Sequence, residues 1–557
     1  MKSLSFADYT VFFIYFIIVA SYGYWVYRKK RQQSVSASHD YFLAEGSLTW
    51  WAIGASLIAS NISAEQFIGM SGSGFKMGLA ISTYEWMSAA SLIIVAIFFI
   101  PVYLRNKIYT MPQFLQQRYN GTVAMIMAVF WLLLYVVVNL TSILYLGAVA
   151  IHSISGLDTR LCMYVLALFA IVITLGGMKV IGYTDVIQVF FLILGGLVTT
   201  YLALNLVSEK FGVTGTITGF KLLMKETPDH FHMIFQKDNP NYMDLPGLSV
   251  LIGGMWIANL NYWGCNQYIT QRALGADLPT ARGGLLFAAF LKLLMPVIVV
   301  IPGIAAYVLY KNGSFLHEMS DAGGVNPDFA YPVLLNLLGP GLKGLAFAAL
   351  TAAIVASLAG KLNSISTIFT LDIYKKRINT NADEKAQVNV GRITVLVAMI
   401  LGIIIAPMLG IDKKGGFQYI QEYTGFVSPG IFAMFILGFF WKKTTSSSAL
   451  FATIVGFFIS LLLKFLPGFM DLAWLNPFGF SVPNLSGVYE IPFLDRMGIV
   501  FLLCVFGMVL ISLYQNRKGI IPHGLEVDTK LFKLKPGFIA GSLIIVGVIA
   551  ALYTIFW

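Results

Sequence analysis

Two polar stretches interrupt long apolar segments of this chain. Residues 56–66 read SLIASNISAEQ, and residues 259–267 read NLNYWGCNQ. Helices that are interrupted halfway across a bilayer expose backbone carbonyls and short polar side chains, and paired interruptions of this kind mark the binding sites of transport proteins. The two stretches therefore predict two broken membrane helices around a polar site.

The rest of the chain has the composition of a membrane protein. Of its 557 residues, 58% are hydrophobic and 11% are charged, and the mean hydropathy is +0.78. A helix needs roughly 20 apolar residues to cross a bilayer, whereas barrel strands are about half as long. The sequence therefore predicts an all-α polytopic membrane protein. Its fourteen transmembrane helices are expected at 8–27, 50–72, 79–104, 121–150, 161–178, 183–206, 246–270, 284–310, 344–372, 392–410, 417–441, 446–466, 495–515 and 537–556.

Positive residues predict the orientation of these spans. Lys and Arg concentrate in alternate loops, at 28–31, 105–118, 272–282, 375–392, 442–443 and 517–535. Loops enriched in Lys and Arg face the cytoplasm, so both termini are predicted outside a cell (inner) membrane. The first span lacks a cleavage site and is predicted to be retained. The net charge of +11 then reflects topology and not nucleic-acid binding; the partner is the lipid bilayer.

The positions of the two broken spans predict a repeat. They are the second and seventh spans, so their starts are five spans apart, and an odd offset between equivalent helices means that the second unit is inverted. The predicted organisation is a 5+5 inverted repeat with flanking segments. Residues 1–45 hold the first helix and a cytoplasmic linker, 46–206 the first repeat, 207–245 an outer loop, 246–441 the second repeat, and 442–557 three additional helices.

Ionisable residues within the predicted spans point to a neutral polar substrate. Glu85 and Lys292 occupy the second helix of each proposed repeat, and charges inside a membrane usually mark a substrate or coupling site. If they neutralise each other, the site suits a polyol; a purely structural ion pair is the alternative. Amide and hydroxyl groups that could bond sugar hydroxyls are contributed by Gln66, Ser88, Asn259 and Gln421.

The same breaks predict a cation site. A bare cation binds where carbonyl oxygens replace its water, and the carbonyls of Ala59 and Ile62 are candidates. The ninth span offers hydroxyls from Ser357 onward, although a helical Ser can instead bond its own helix backbone.

At these residues the chain resembles the solute:sodium symporter family, and most closely its bacterial sodium/galactose (sodium/glucose-type) members. The resemblance is carried by ASNISAEQFIGMSGSG (59–74), YEWMS (84–88), TDVIQVFF (184–191), WGCNQYITQR (263–272), TLDIYK (370–375) and FQYIQEYTGFVSPG (417–430). It implies a leucine-transporter-type fold and sodium-coupled symport of a neutral monosaccharide by alternating access. It also implies a transporter and not an enzyme.

The resemblance assigns roles to individual positions. It implies sugar binding by Gln66, Glu85, Ser88, Asn259, Lys292 and Gln421. It implies an inner gate of Tyr262 held by Asn61, and an outer gate of Met70 and Phe417. It implies a sodium site at Ala59, Ile62, Ala353, Ala356 and Ser357, and an ion exit path past Asp185.

Two residues depart from the family pattern. The family has two adjacent serines where this chain has Ala356 and Ser357, and Lys361 follows one helical turn later. The Lys361 ammonium could partly replace the charge of sodium, or pair with Asp185 and so belong to the ion exit path; alternatively, its side chain reaches the cytoplasmic surface. The alternative functions are therefore a sodium-independent or proton-coupled transporter of a sugar or inositol, and, in another class, a membrane sugar receptor.

Overall fold

A computed structural model describes residues 4–30, 48–176, 178–321, 324–408, 416–484 and 486–557. Most of the predicted linker before residue 46 lies outside these residues. Within them the fold is helical, apart from two short antiparallel ribbons, β1 (Ser320–Asp321) with β2 (Gly324–Val325) and β3 (Val482–Pro483) with β4 (Tyr489–Glu490). The all-α class is confirmed for the described residues.

The α-helices of the first half of the chain are numbered in chain order. They are α1 (Phe6–Lys30), α2 (Trp50–Asn61), α3 (Ser71–Met77), α4 (Thr83–Ile94), α5 (Ile100–Arg105), α6 (Met111–Arg118), α7 (Gly121–Leu133), α8 (Thr141–Ser155), α9 (Thr159–Leu175), α10 (Met178–Lys210), α11 (Thr216–Glu226), α12 (Leu248–Ile252), α13 (Gly254–Gly264), α14 (Gln267–Leu274) and α15 (Leu278–Lys311).

The numbering continues through the second half. The remaining α-helices are α16 (Ala330–Leu335), α17 (Leu342–Thr367), α18 (Glu384–Ile405), α19 (Gly416–Gly425), α20 (Ser428–Phe440), α21 (Ser446–Leu450), α22 (Gly456–Phe465), α23 (Phe493–Arg517) and α24 (Pro536–Ile555). Wider π-helical turns connect several of them, at Glu65–Met70, Val95–Phe99, Leu134–Leu140, Ile368–Ile378 and Phe451–Val455. Tighter 3₁₀ turns lie at Gly78–Ser82, Pro228–Phe231, Pro327–Phe329, Ala406–Met408, Leu466–Gly468, Ala473–Phe478 and Thr529–Phe532.

The helices match a membrane environment. In the described part of the chain, ten helices are long and apolar enough to cross a membrane, and α9 and α20 are shorter apolar helices. Some helices expose apolar faces: on α24, Leu543 and Ile544 are each 66% exposed, which suits contact with lipid. The protein is a multi-pass membrane protein. The number of fourteen spans and the 5+5 repeat stay predictions.

The first predicted break lies between α2 and the π-helical turn at Glu65–Met70. Helix α2 ends at Asn61, and Ile62 has an extended backbone with φ −76° and ψ 111°. The chain is helical again from Glu65 and continues into α3. Residues 62–64 are called the first break below.

The second predicted break lies between α13 and α14. Helix α13 ends at Gly264, Cys265 leaves the helical conformation with φ −119° and ψ 7°, and α14 begins at Gln267. The Tyr103 hydroxyl donates to the freed carbonyl of Gly264 at 2.7 Å. The side-chain oxygen of Gln267 accepts from the Met111 amide at 2.7 Å. Side chains from neighbouring helices thus satisfy the groups that the break exposes.

The chain forms two compact units. The first unit comprises Met1–Ser82, Val129–His232 and Gln271–Tyr419, and the second comprises Thr83–Ala128, Met233–Thr270 and Ile420–Trp557. The first break belongs to the first unit and the second break to the second.

Within the first unit, α15 packs along both halves of the broken helix. A Cβ atom on Gly284 would lie 2.6 Å from the Ile53 side chain, and one on Gly303 would lie 2.1 Å from the Ser71 carbonyl oxygen. Because glycine lets helix backbones approach closely in membranes, α15 contacts α2 through one glycine and α3 through the other. This continuous helix therefore holds the two halves in register across the break.

Candidate functional site

Hydrogen bonds of Ser63 and Gln66 fix the first break. The Ser63 amide donates to the Gln66 side-chain oxygen at 3.0 Å, and the Ser63 hydroxyl accepts from the Glu65 amide at 3.2 Å. The Gln66 amide donates to the Ser63 carbonyl at 3.1 Å. A Ser followed three residues later by Gln is a sequence signature of a helix N-terminus, so the second half of this helix starts here.

This capping frees two backbone carbonyls. In a continuous helix, the Ala59 carbonyl would accept from the Ser63 amide and the Ile62 carbonyl from the Gln66 amide. Both amides donate to other oxygens at the break. Ala59 and Ile62, the two carbonyls predicted to bind a cation, thus lose their helical donors.

Helix α17 brings a hydroxyl to the same place. The Ser357 hydroxyl donates to the carbonyl of Ser60, between the two freed carbonyls, at 3.1 Å. Ala353 lies one turn earlier on α17, and both it and Ala356 are buried. The predicted sodium residues therefore cluster within the first unit, and Ala356 contributes no side-chain oxygen. Backbone carbonyls with a hydroxyl form the type of oxygen cage that a small hard cation prefers.

Lys292 also lies at the first break. Its side chain is fully buried on α15, and its ammonium donates to the side-chain oxygen of Asn61, the last residue of α2. A buried charge needs such polar partners to offset its lost hydration. Lys292 and Asn61, predicted as a sugar ligand and a gate residue, are thus brought together.

The predicted outer-gate residues belong to the first unit and lie in its interior. Met70 and Phe417 are both buried. A Cβ atom on Gly69 would lie 2.9 Å from the Cβ atom of Phe417, so the absence of a side chain at Gly69 permits this contact.

The second unit holds another part of the predicted sugar site. The Ser88 hydroxyl is 2.5 Å from the Asn259 side-chain oxygen, and the Asn259 amide nitrogen donates to the Met255 carbonyl at 3.1 Å. Glu85 is buried on the same helix as Ser88. Ser88 and Asn259 thus form a prearranged donor and acceptor pair, as recognition of a hydroxyl group requires.

Two further predicted residues belong to the second unit. Tyr262 makes edge-to-face ring contacts with Trp263 and Tyr268, at centroid distances of 5.1 and 5.7 Å. Gln421 is half-buried on α19. Of the six predicted sugar ligands, only Gln66 and Lys292 belong to the first unit.

Asp185 lies in a buried charge cluster of the first unit. It accepts a hydrogen bond of 2.5 Å from Ser56, which in turn accepts one of 2.8 Å from Arg272 Nε. The Arg272 and Asp185 charges are 3.8 Å apart. The sequence predicted Arg272 in a positively charged loop; the structure shows it buried near the end of α14, with 2% of its surface exposed. The carboxylate of Asp185 explains why a guanidinium is tolerated there.

Lys361 is buried on α17, with 3% of its surface exposed. The expectation that it reaches the cytoplasmic surface is therefore wrong, because α17 is enclosed by α1, α9 and α10. Glu65 interacts electrostatically with Lys361, and Asp185 lies 3.8 Å from Arg272. The pairing of Lys361 with Asp185 stays a prediction.

Sequence reasoning missed Ser63, Glu65, Ser56 and Arg272. Two signals could have found Ser63 and Arg272. The spacing of Ser63 and Gln66 is that of a capping box inside an apolar run, and Arg272 ends the motif WGCNQYITQR next to a predicted break.

In the described part of the chain, ten helices are long and apolar enough to cross a membrane, and two helices are broken. These features define a multi-pass membrane protein and are typical of transporters. The model of the sodium:solute symporter family matches residues 41–456. The chain belongs to this family. It is therefore a transporter and not an enzyme, and sodium is its co-transported ion.

Individual relatives show which members of the family this chain is similar to. The chain is 47% identical over 562 residues to the sodium/glucose cotransporter of Vibrio parahaemolyticus, covering 100% of this chain and 99% of the relative. It is 34% identical to human sodium/myo-inositol cotransporter 2, and this match covers 83% of this chain and 70% of the relative. The solved structure of a sodium-coupled sialic acid symporter in a substrate-bound outward-open state has the same fold, with a TM-score of 0.74, 21% identity, and coverage of 92% of this chain and 98% of that chain.

Proposed function

We propose that this protein couples the entry of sodium to the uptake of a neutral monosaccharide of the galactose or glucose type. The observation that carries the proposal is the pair of freed carbonyls, Ala59 and Ile62, beside the Ser357 hydroxyl. The 47% identity to a protein named sodium/glucose cotransporter supports the choice of sugar.

The sugar is bound by Gln66, Glu85, Ser88, Asn259, Lys292 and Gln421. Glu85 and Lys292 are both buried, and one carboxylate with one ammonium leaves the set without net charge. A neutral sugar matches such a set, because each of its hydroxyls can be satisfied by a separate donor or acceptor. An anionic substrate would require uncompensated positive charge.

Transport follows alternating access between two inverted repeats, 46–206 and 246–441. Each repeat contains a broken helix in its first span, which supports the assignment. Sodium stabilises the first break against α17 and so favours the outward-open state. Met70 and Phe417 close above the sugar, and Tyr262 with Asn61 closes below it. Coupling arises because sodium binds the two states with different affinity.

Myo-inositol is the second candidate substrate. It is a neutral cyclic polyol, and proteins named sodium/myo-inositol cotransporter 2 are 33–34% identical to this chain. Competition of unlabelled inositol and glucose against labelled galactose ranks the three substrates.

Uptake of labelled galactose into proteoliposomes tests the function. We expect accumulation only with an inward sodium gradient. Because Ala356→Ser adds a hydroxyl ligand, we expect this variant to accumulate sugar at a smaller sodium gradient. Ser357→Ala is the matched control and is expected to need a larger sodium gradient. Uptake of galactose, glucose and inositol that is independent of the sodium gradient would contradict the proposal.

A further inference from the structure

Lys361 occupies the same helix face as the predicted sodium ligands of α17. It follows Ser357 by four residues, which is about one helical turn or 5.4 Å. Side chains of a helix lean towards its N-terminus, and a lysine side chain is long enough to cover one turn. The ammonium of Lys361 is thereby directed towards the level of Ser357.

The electrostatic partner of Lys361 agrees with this direction. Glu65 interacts with it, and Glu65 follows Ile62 by three residues at the first break. The Glu65 carboxylate is itself held by the Ser142 hydroxyl at 3.3 Å. A carboxylate just after the first break thus lies within electrostatic range of the ammonium.

Lys361 and Glu65 therefore lie close in sequence to the sodium ligands. Lys361 shares α17 with Ser357, and Glu65 begins the helical turn directly after the first break, three residues after Ile62. A fixed positive charge beside a cation site disfavours the cation, and a fixed negative charge favours it. In a protein interior, unit charges several ångströms apart interact strongly enough to change affinity on the order of tenfold.

We propose that Lys361, one helical turn after Ser357 on α17, is a fixed cation that lowers the sodium affinity of the neighbouring site, and that the charge of Glu65 partly offsets this effect. This inference rests on the proposed sodium-coupled uptake. Lys361 acts as an affinity-determining residue: it reduces sodium binding through its charge, while the carboxylate of Glu65 limits the reduction.

The test measures the sodium concentration for half-maximal sugar uptake. Methionine matches the shape of lysine without its charge, so Lys361→Met is expected to lower this concentration on the order of tenfold. Lys361→Arg keeps the charge and is the matched control, expected to stay near the wild type. Glu65→Gln leaves the ammonium uncompensated and is expected to raise the concentration. The sugar KM at saturating sodium is expected to change little in all three variants.

The opposite signs at Lys361 and Glu65 separate an electrostatic role from a structural one, because loss of packing would impair both variants alike. If a variant yields too little uptake, sodium-dependent thermal stabilisation of the purified protein gives the same affinity. An unchanged or increased half-saturation in Lys361→Met, or a shift of the same sign in both variants, overturns the inference. Sodium-independent uptake by the wild type would instead overturn the proposed function.

Discussion

At the scale of single residues, Ser56 connects a buried carboxylate to a buried guanidinium. Its hydroxyl donates to Asp185 at 2.5 Å and accepts from Arg272 at 2.8 Å. Removing one charge of a buried pair leaves the other uncompensated, which costs about 3–5 kcal/mol. We therefore expect Asp185→Asn to lower the thermal stability of the detergent-purified protein strongly.

A double variant provides the control for this prediction. Asp185→Asn combined with Arg272→Gln removes both charges, so we expect it to be more stable than Asp185→Asn alone. The comparison uses the melting temperatures of both variants, measured as the loss of the monodisperse peak on heating. Additive losses would show that the two charges do not compensate each other.

His230 is a second residue whose charge state matters. It lies in the loop after α11, with Nε2 3.1 Å from the Phe75 carbonyl and its ring stacked on Tyr307 at 4.2 Å. Burial lowers the pKa of His230 below its ordinary value; Lys311 acts in the same direction, and the Phe75 bond and Asp229 oppose it. The folded protein therefore binds fewer protons at this site than the unfolded chain.

The sign of the pH effect follows. A depressed histidine pKa contributes stability above the ordinary value of about 6.5, and this contribution is lost as the pH falls below it. We expect the loss of thermal stability from about pH 7 to about pH 5 to be smaller in His230→Gln. His232→Gln, at an exposed neighbour, is the control and should follow the wild type. Parallel profiles for all three proteins would refute the role of His230.

At the scale of elements, Arg118 closes the end of a helix. Its guanidinium donates to the carbonyls of Gly438, Trp441 and Thr444 at 2.7, 2.9 and 3.0 Å, at the C-terminal end of α20. A fourth bond of 2.9 Å reaches the His523 carbonyl. Helix C-termini leave carbonyls without helical donors and attract cations, so one side chain satisfies several of them.

Arg118→Lys tests this capping. An ammonium lacks the planar fork needed to reach all four carbonyls, and each lost bond from a charged donor costs about 1.5–3 kcal/mol. We expect a clear drop in the melting temperature, with sugar uptake by the remaining folded protein retained. Arg105→Lys changes a largely exposed arginine and should have little effect. Equal melting of the two variants would contradict the capping role.

The broken helices show how far the sequence predicts this fold. Polar runs located both breaks, because Asn61, Ser63 and Asn266 are out of place in an apolar helix. The freed carbonyls of Ala59 and Ile62 were predictable for the same reason. The buried position of Arg272 was not predictable from the sequence. Helix α14 is short and amphipathic, and the burial of Arg272 depends on Asp185, which is 87 positions earlier in the chain. Pairings over such separations are set by packing and not by local pattern.

At the scale of the whole molecule, the orientation in the membrane stays a prediction that labelling can test. The three cysteines, Cys162, Cys265 and Cys504, are buried, so a membrane-impermeant maleimide should find little background in intact cells. New cysteines at exposed loop positions then report their side. Ser486, predicted outside, and Lys443, predicted in the cytoplasm, are both exposed.

We expect Ser486→Cys to be labelled in intact cells and Lys443→Cys only after the membrane is permeabilised. The physical reason is the concentration of Lys and Arg in the loops on the Lys443 side, which resist translocation. Both positions belong to the second unit, so the test does not depend on the arrangement of the two units. The reverse labelling pattern would show that the termini face the cytoplasm, and the assigned directions of sodium and sugar movement through the first break would then be inverted as well.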